Sequence, residues 1–230
     1  MSASASLPDA PLHTNVVGGG GDRLLVLIHG YGADEHDLAG LAPVLGGDRF
    51  FTICPRGPLD VAPFGGAAWY DRDDAGTIEP GSFQRSILAL DQTVDAACRA
   101  RSLRREQALI VGFSQGGAMA LALSLRDGTA VRPAGVACLS GMLQTPDWFR
   151  YAWDDAEAWE AAAPDAVPAV LVQHGLYDPM VDIERGRRTR EVLRDHGLEP
   201  TYHEYPMQHE IRPESIIDLR AWIDRVLAGT

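Results

Sequence analysis

The chain of 230 residues contains no lysine; all 20 of its basic residues are arginine. That absence excludes chemistry that needs a side-chain amine, namely a Schiff base, a Ser-Lys dyad or a phosphate-cradling P-loop. Positive charge is scarce altogether: 32 acidic residues leave a formal net charge of −12. Such a chain is repelled by nucleic acid and by anionic lipid surfaces, so neither is an expected partner. Cysteine is sparse as well. Cys54, Cys98 and Cys138 are odd in number and widely spaced, with no C-x-x-C pair. They read as reduced, buried residues of a cytoplasmic protein, and no metal site or other cofactor is expected. No apolar run approaches membrane-spanning length. The start, M-S-A-S-A-S-L-P-D-A-P, lacks both the basic and the apolar region of a secretory signal.

What is present is a pattern of alternating strands and helices. After a polar leader over 1–22, Arg23–His29 is a continuous apolar run, as in a strand covered on both faces. A short helix is expected over Asp34–Leu45, a strand over Phe50–Cys54, and a Gly/Pro-rich loop over 55–81. Helical spacing over Ser82–Leu103 predicts the longest helix. Strands follow at Ala108–Phe113, Ala134–Leu139, Ala169–Gln173 and Thr201–Tyr205, with helices at Gln115–Arg126, Ile183–Asp195 and Pro213–Leu227. The alternation predicts one α/β domain over 23–230, a mostly parallel sheet flanked by helices on both faces. In such sheets ligands bind at the carboxyl ends of the strands, which directs attention to the loops that follow them.

Three of those loops hold reactive residue types. Gly112-Phe113-Ser114-Gln115-Gly116 is a G-x-S-x-G string with a predicted strand before it and a helix after it. In that context the glycines let strand and helix approach closely, and Ser114 is expected on a strained turn with its hydroxyl exposed. A serine needs a base. Of seven histidines, His13 lies in the leader, His36 opens a surface helix, His196 ends a helix and His203 lies inside a strand. His29 and His174 sit in H-G steps at strand ends, where shaping a loop suffices to explain them. His209, in Y-P-M-Q-H-E after the last strand, is the candidate base. The orienting carboxylate should follow another strand between the two, which selects Asp178 in H-G-L-Y-D-P; its rival Asp182 precedes a helix and suits an N-cap. Oxyanion donors are expected from the amides of Gln115, next after the serine, and of Tyr31, in G-Y-G. Gly30, Trp69 and Trp148 are candidate substrate contacts. The stretch Thr145–Pro164 carries Trp148, Phe149, Tyr151, Trp153 and Trp159. It suits either a small lid, drawn over 142–167, that forms an acyl pocket, or ordinary packing onto the sheet.

The set L-I-H-G-Y-G, W-Y-D, G-F-S-Q-G-G, L-S-G, H-G-L-Y-D and P-M-Q-H resembles the phospholipase/carboxylesterase family of α/β-hydrolases, which includes acyl-protein thioesterases. The resemblance runs from about Leu24 to the C-terminus. It implies an α/β-hydrolase fold with Ser114 as nucleophile, Asp178 as acid, His209 as base and the Tyr31 amide in the oxyanion hole. The segment P-R-G-P-L-D-V-A-P at 55–63 departs from the proline motif of many thioesterases.

The expected function is cofactor-independent hydrolysis of small carboxylic esters through an acyl-enzyme. A thioesterase or lysophospholipase on long acyl chains is the alternative, and an inactive binding protein of the same fold a second one. The expected partner is a small ester; the oligomeric state is open, with a homodimer as the candidate.

Overall fold

The computed structural model describes residues 7–18, 20–61, 63, 65–128, 132–161 and 167–229. Nine strands occur among them: β1 (Thr14–Val17), β2 (Arg23–Ile28), β3 (Phe50–Pro55), β4 (Leu59–Val61), β5 (Gly66–Ala68), β6 (Ala108–Phe113), β7 (Gly135–Leu139), β8 (Ala169–Gly175) and β9 (Thr201–Tyr205). The α-helices are α1 (Ala42–Leu45), α2 (Pro80–Arg101), α3 (Gln115–Leu125), α4 (Ala156–Ala161), α5 (Ile183–Asp195) and α6 (Pro213–Ala228).

Seven strands form one sheet in the order β1-β3-β2-β6-β7-β8-β9, parallel except where β1 pairs antiparallel with β3. The strands are apolar on both faces because both faces are covered. Leu24, Val26, Ile28, Ile110, Val136 and Val172 pack beneath α2 and α3, with Leu90, Val94, Met119 and Leu123. On the other face Leu25, Leu27, Leu109, Val111 and Leu171 pack beneath α1 and α6, with Leu45, Leu219, Trp222 and Ile223. The helix α3 is buried along its whole length, so it shows none of the one-sided patterning of a surface helix.

Three expectations change. The leader contributes β1, whose Asn15 and Val16 pair with Cys54 and Ile53 of β3, while Leu7 and Leu12 join the core. The residues 55–81 include the two-stranded hairpin β4–β5. The helix over Asp34–Leu45 shrinks to a 3₁₀ turn and the single turn α1. The longest helix begins at Pro80 because Glu79 caps it, its carboxylate accepting from the Gly81 and Ser82 amides. No described helix is long and apolar enough to cross a membrane.

Candidate active site

Between β6 and α3 there is a single residue, Ser114, held at φ 56° and ψ −118°. The reason lies on either side of it. A side chain at Gly112 would meet the Gly116 carbonyl oxygen at 2.1 Å, and one at Gly116 would meet the Ile28 carbonyl oxygen at 2.2 Å. Strand and helix therefore touch backbone to backbone, and the connection is too short for relaxed dihedrals. Gly116→Ala is expected to cost roughly 3 kcal/mol, because the obstacle is main chain that cannot rotate away. A denaturant midpoint within error of the parent would contradict this account of the turn.

The loop after β9 brings His209 to the same place, its ring 4.8 Å from that of Phe113. His209 Nε2 lies 2.9 Å from Ser114 Oγ, and Nδ1 lies 2.7 Å from Asp178 Oδ2. The carboxylate accepts, so Nδ1 carries a proton and Nε2 of the neutral ring faces the serine hydroxyl as acceptor. Asp178, in the loop after β8, is fully buried at its side chain, and its Oδ1 accepts from the Met180 and Val181 amides at 2.8 Å each. Next to it, the buried His174 donates from Nε2 to the Val181 carbonyl at 2.7 Å, tying the end of this loop to β8. Asp182 caps α5, its Oδ1 accepting from the Glu184 amide, and takes no part in the relay.

The loop after β2 stands opposite. Gly57 N–H donates to His29 Nε2 at 3.0 Å, so His29 Nδ1 carries the proton and donates to the Gly30 carbonyl at 2.7 Å. Burial lowers the His29 pKa, which keeps the ring in this neutral form. In a trans peptide the N–H points away from the carbonyl, so fixing the Gly30 carbonyl turns the Tyr31 amide the other way. Neither the Tyr31 nor the Gln115 amide has an acceptor among the described residues. Gln115 is anchored by its side chain, which accepts from the Trp69 amide and donates to the Tyr70 carbonyl. A side chain at Gly30 would come within 3.3 Å of the Ser114 Cβ, so glycine keeps this approach open.

These groups open onto a cavity of about 760 Å³ whose lining includes Tyr31, Tyr70, Ser114, Met142, Met180 and His209. Trp69 is not part of it, which corrects the expectation of a substrate contact. It is fully buried, its indole N–H donating to the His29 carbonyl, because the two oxyanion-side loops are built around it. Trp148 lines a second cavity of about 370 Å³ that shares Arg72, Met142, Gln144 and Arg185 with the first. The other aromatics of the 145–164 stretch form a chain of ring contacts from Phe83 through Phe149, Tyr151 and Trp153 to His196. They are engaged in packing; residues 162–166 of the drawn lid lie outside the described residues. Arg72, Gln144 and Arg185 carry no motif, and only the folded loops bring them to the site. The thiols take no part in the relay: all three are buried, with Cys54 and Cys138 pushed up to about 12 by burial.

The chain is similar to acyl-protein thioesterase 1 of Mycosarcoma maydis, at 27% identity over 88% of this chain and 90% of that protein. It is similar to lysophospholipase-like protein 1 of Mus musculus, at 28% identity over 64% of each chain. Among solved structures, the carboxylesterase from Mesorhizobium loti superposes with a TM-score of 0.78 over 99% of both chains at 23% identity, a likeness of fold. The fold is thus that of the α/β-hydrolase esterases, and the whole sheet and its helices fall within the similarity. Residues 20–227 match the phospholipase/carboxylesterase family, and the chain belongs to it.

Proposed function

We propose that the protein is a serine esterase that cleaves small carboxylic esters through a covalent acyl-enzyme. The observation that carries this is the unbroken relay from Asp178 Oδ2 to His209 to Ser114 Oγ, at 2.7 and 2.9 Å, opening on a cavity. Ser114 Oγ attacks the ester carbonyl while His209 Nε2 takes its proton. The tetrahedral oxyanion is received by the Tyr31 and Gln115 amides, aided by the positive end of α3. Collapse expels the alcohol, to which the imidazolium returns the proton. Water then repeats the sequence on the acyl-enzyme, His209 again acting as base, and releases the carboxylic acid and free Ser114. Asp178 stays ionised throughout and stabilises the imidazolium.

The relatives named acyl-protein thioesterase support a second reading, thioester cleavage on long acyl chains. The cavity wall is mixed: Tyr70, Met142, Met180 and Val181 supply apolar surface, while Asp71, Arg72, Gln144, Asp182 and Arg185 interrupt it with polar groups, and that interruption supports the first reading. Two measurements test the proposal. A fluorophosphonate should label the protein at Ser114, and an unlabelled, folded protein would end the serine-hydrolase reading. On 4-nitrophenyl esters, below micellar concentrations, butyrate should exceed palmitate in kcat/KM by roughly tenfold or more. A palmitate preference would move the protein to the second reading.

A further inference from the structure

We propose that the wall shared by the two cavities is an anion-binding subsite, so that the preferred esters carry a carboxylate or phosphate group besides the scissile bond. The proposal rests on the esterase reading above and names its substrate class.

Three N–H donors meet at that wall: Arg72, Arg185 and Gln144, each lining both cavities. Arg72 is held on a fixed stem. Its loop is closed by the Asp73 amide donating to the Thr77 carbonyl, and the Asp73 carboxylate accepts from the Ala75 and Thr77 amides. The guanidinium lies 5.4 Å from the centroid of the Tyr70 ring and spends one N–H on the Gly76 carbonyl at 2.6 Å. Its other N–H groups meet no carboxylate among the described residues.

Arg185 stands in the first turn of α5 and is left over from the pairing around it. Asp182 accepts from the Glu184 amide, and Glu184 pairs with Arg187 at 2.6 Å. Arg187 also grips Glu204 through two hydrogen bonds of 2.8 and 2.9 Å. No ion pair of Arg185 occurs among the described residues, and neither Asp71 nor Asp182, the acids of the same lining, bridges to either guanidinium.

Gln144 supplies the third group. Its backbone carbonyl accepts from the Tyr151 hydroxyl at 2.6 Å, while its buried side-chain Nε2 completes no hydrogen bond among the described residues. A buried donor without an acceptor is unfavourable unless a ligand supplies one. With neither guanidinium in an ion pair among the described residues and the Gln144 amide without an acceptor, N–H donors at this wall are left to take a ligand's oxygens, beside the carboxylates of Asp71 and Asp182. A carboxylate or a phosphate supplies those oxygens, and guanidinium geometry suits both.

The test uses two methyl esters of the same five-carbon acyl chain, monomethyl glutarate, which ends in a carboxylate, and methyl pentanoate, which ends in a methyl group, with hydrolysis followed by proton release. The wild-type chain should prefer the glutarate in kcat/KM by roughly tenfold, the scale of one charge-assisted hydrogen bond at a solvent-open site. In the double variant Arg72→Gln/Arg185→Gln, checked for folding by circular dichroism, the ratio should fall to near one, and it should also fall with added salt in the wild type. Free glutarate and butyl phosphate, as inhibitors of methyl pentanoate hydrolysis, separate the two anion chemistries; stronger inhibition by either identifies the group the subsite takes. A wild-type ratio near one, or a ratio that survives in the double variant, overturns the subsite and leaves the esterase standing. No hydrolysis of either ester, with no fluorophosphonate labelling, overturns both.

Discussion

Ser114→Ala should lower kcat for 4-nitrophenyl butyrate by roughly 10⁶-fold, the scale lost when a serine hydrolase is deprived of its nucleophile. The residue is small and the hydroxyl's one hydrogen bond among the described residues is to His209 Nε2 at 2.9 Å, so the fold has little to lose. The variant should keep its circular dichroism and its melting temperature, and should give no mass adduct with a fluorophosphonate. The Tyr31 and Gln115 amides remain, so a residual rate above that of water is expected. Parent-like turnover by a folded Ser114→Ala chain would remove the acyl-enzyme mechanism.

The second large effect separates two aspartates that are four residues apart. Asp178→Asn should lower kcat by roughly 10⁴-fold, because an amide N–H in place of Oδ2 turns the His209 ring to the tautomer with its proton on Nε2. A ring in that form cannot accept the Ser114 proton. The loop itself should persist, since the side-chain oxygen of the introduced asparagine can still accept from the Met180 and Val181 amides that Oδ1 now serves. Asp182→Asn should leave kcat within about threefold, because asparagine caps a helix about as well as aspartate. The decisive measurement is kcat for both variants on one soluble ester. A dead Asp182→Asn beside a healthy Asp178→Asn would reverse the assignment.

Much of this site is legible in the sequence because it rests on local rules. A strand, a glycine pair and a helix define the Ser114 turn within a dozen residues, and His209 and Asp178 follow from their places after β9 and β8. The same logic separates Asp182 as a cap. What is not legible depends on pairing across the chain. The four residues of β1 carry too short a pattern to announce a strand, and they become one only against β3. The same is true of the three-residue strands of the hairpin β4–β5. Trp69 reads as a substrate contact because an aromatic in W-Y-D suggests a pocket, whereas its indole is consumed in joining two loops. Arg72, Gln144 and Arg185 come from three separate segments and meet only when β5, β7 and α5 are assembled.

The backbone of Ser114 also bears on whether such a chain could drift away from catalysis. Dihedrals of this kind cost a non-glycine residue on the order of 1–3 kcal/mol, and glycine escapes most of that. A lineage that kept the fold for binding alone would have a downhill substitution available at position 114, one that gains stability and loses nothing it needs. Retaining a hydroxyl there is a standing thermodynamic burden, and only a use for the hydroxyl offsets it.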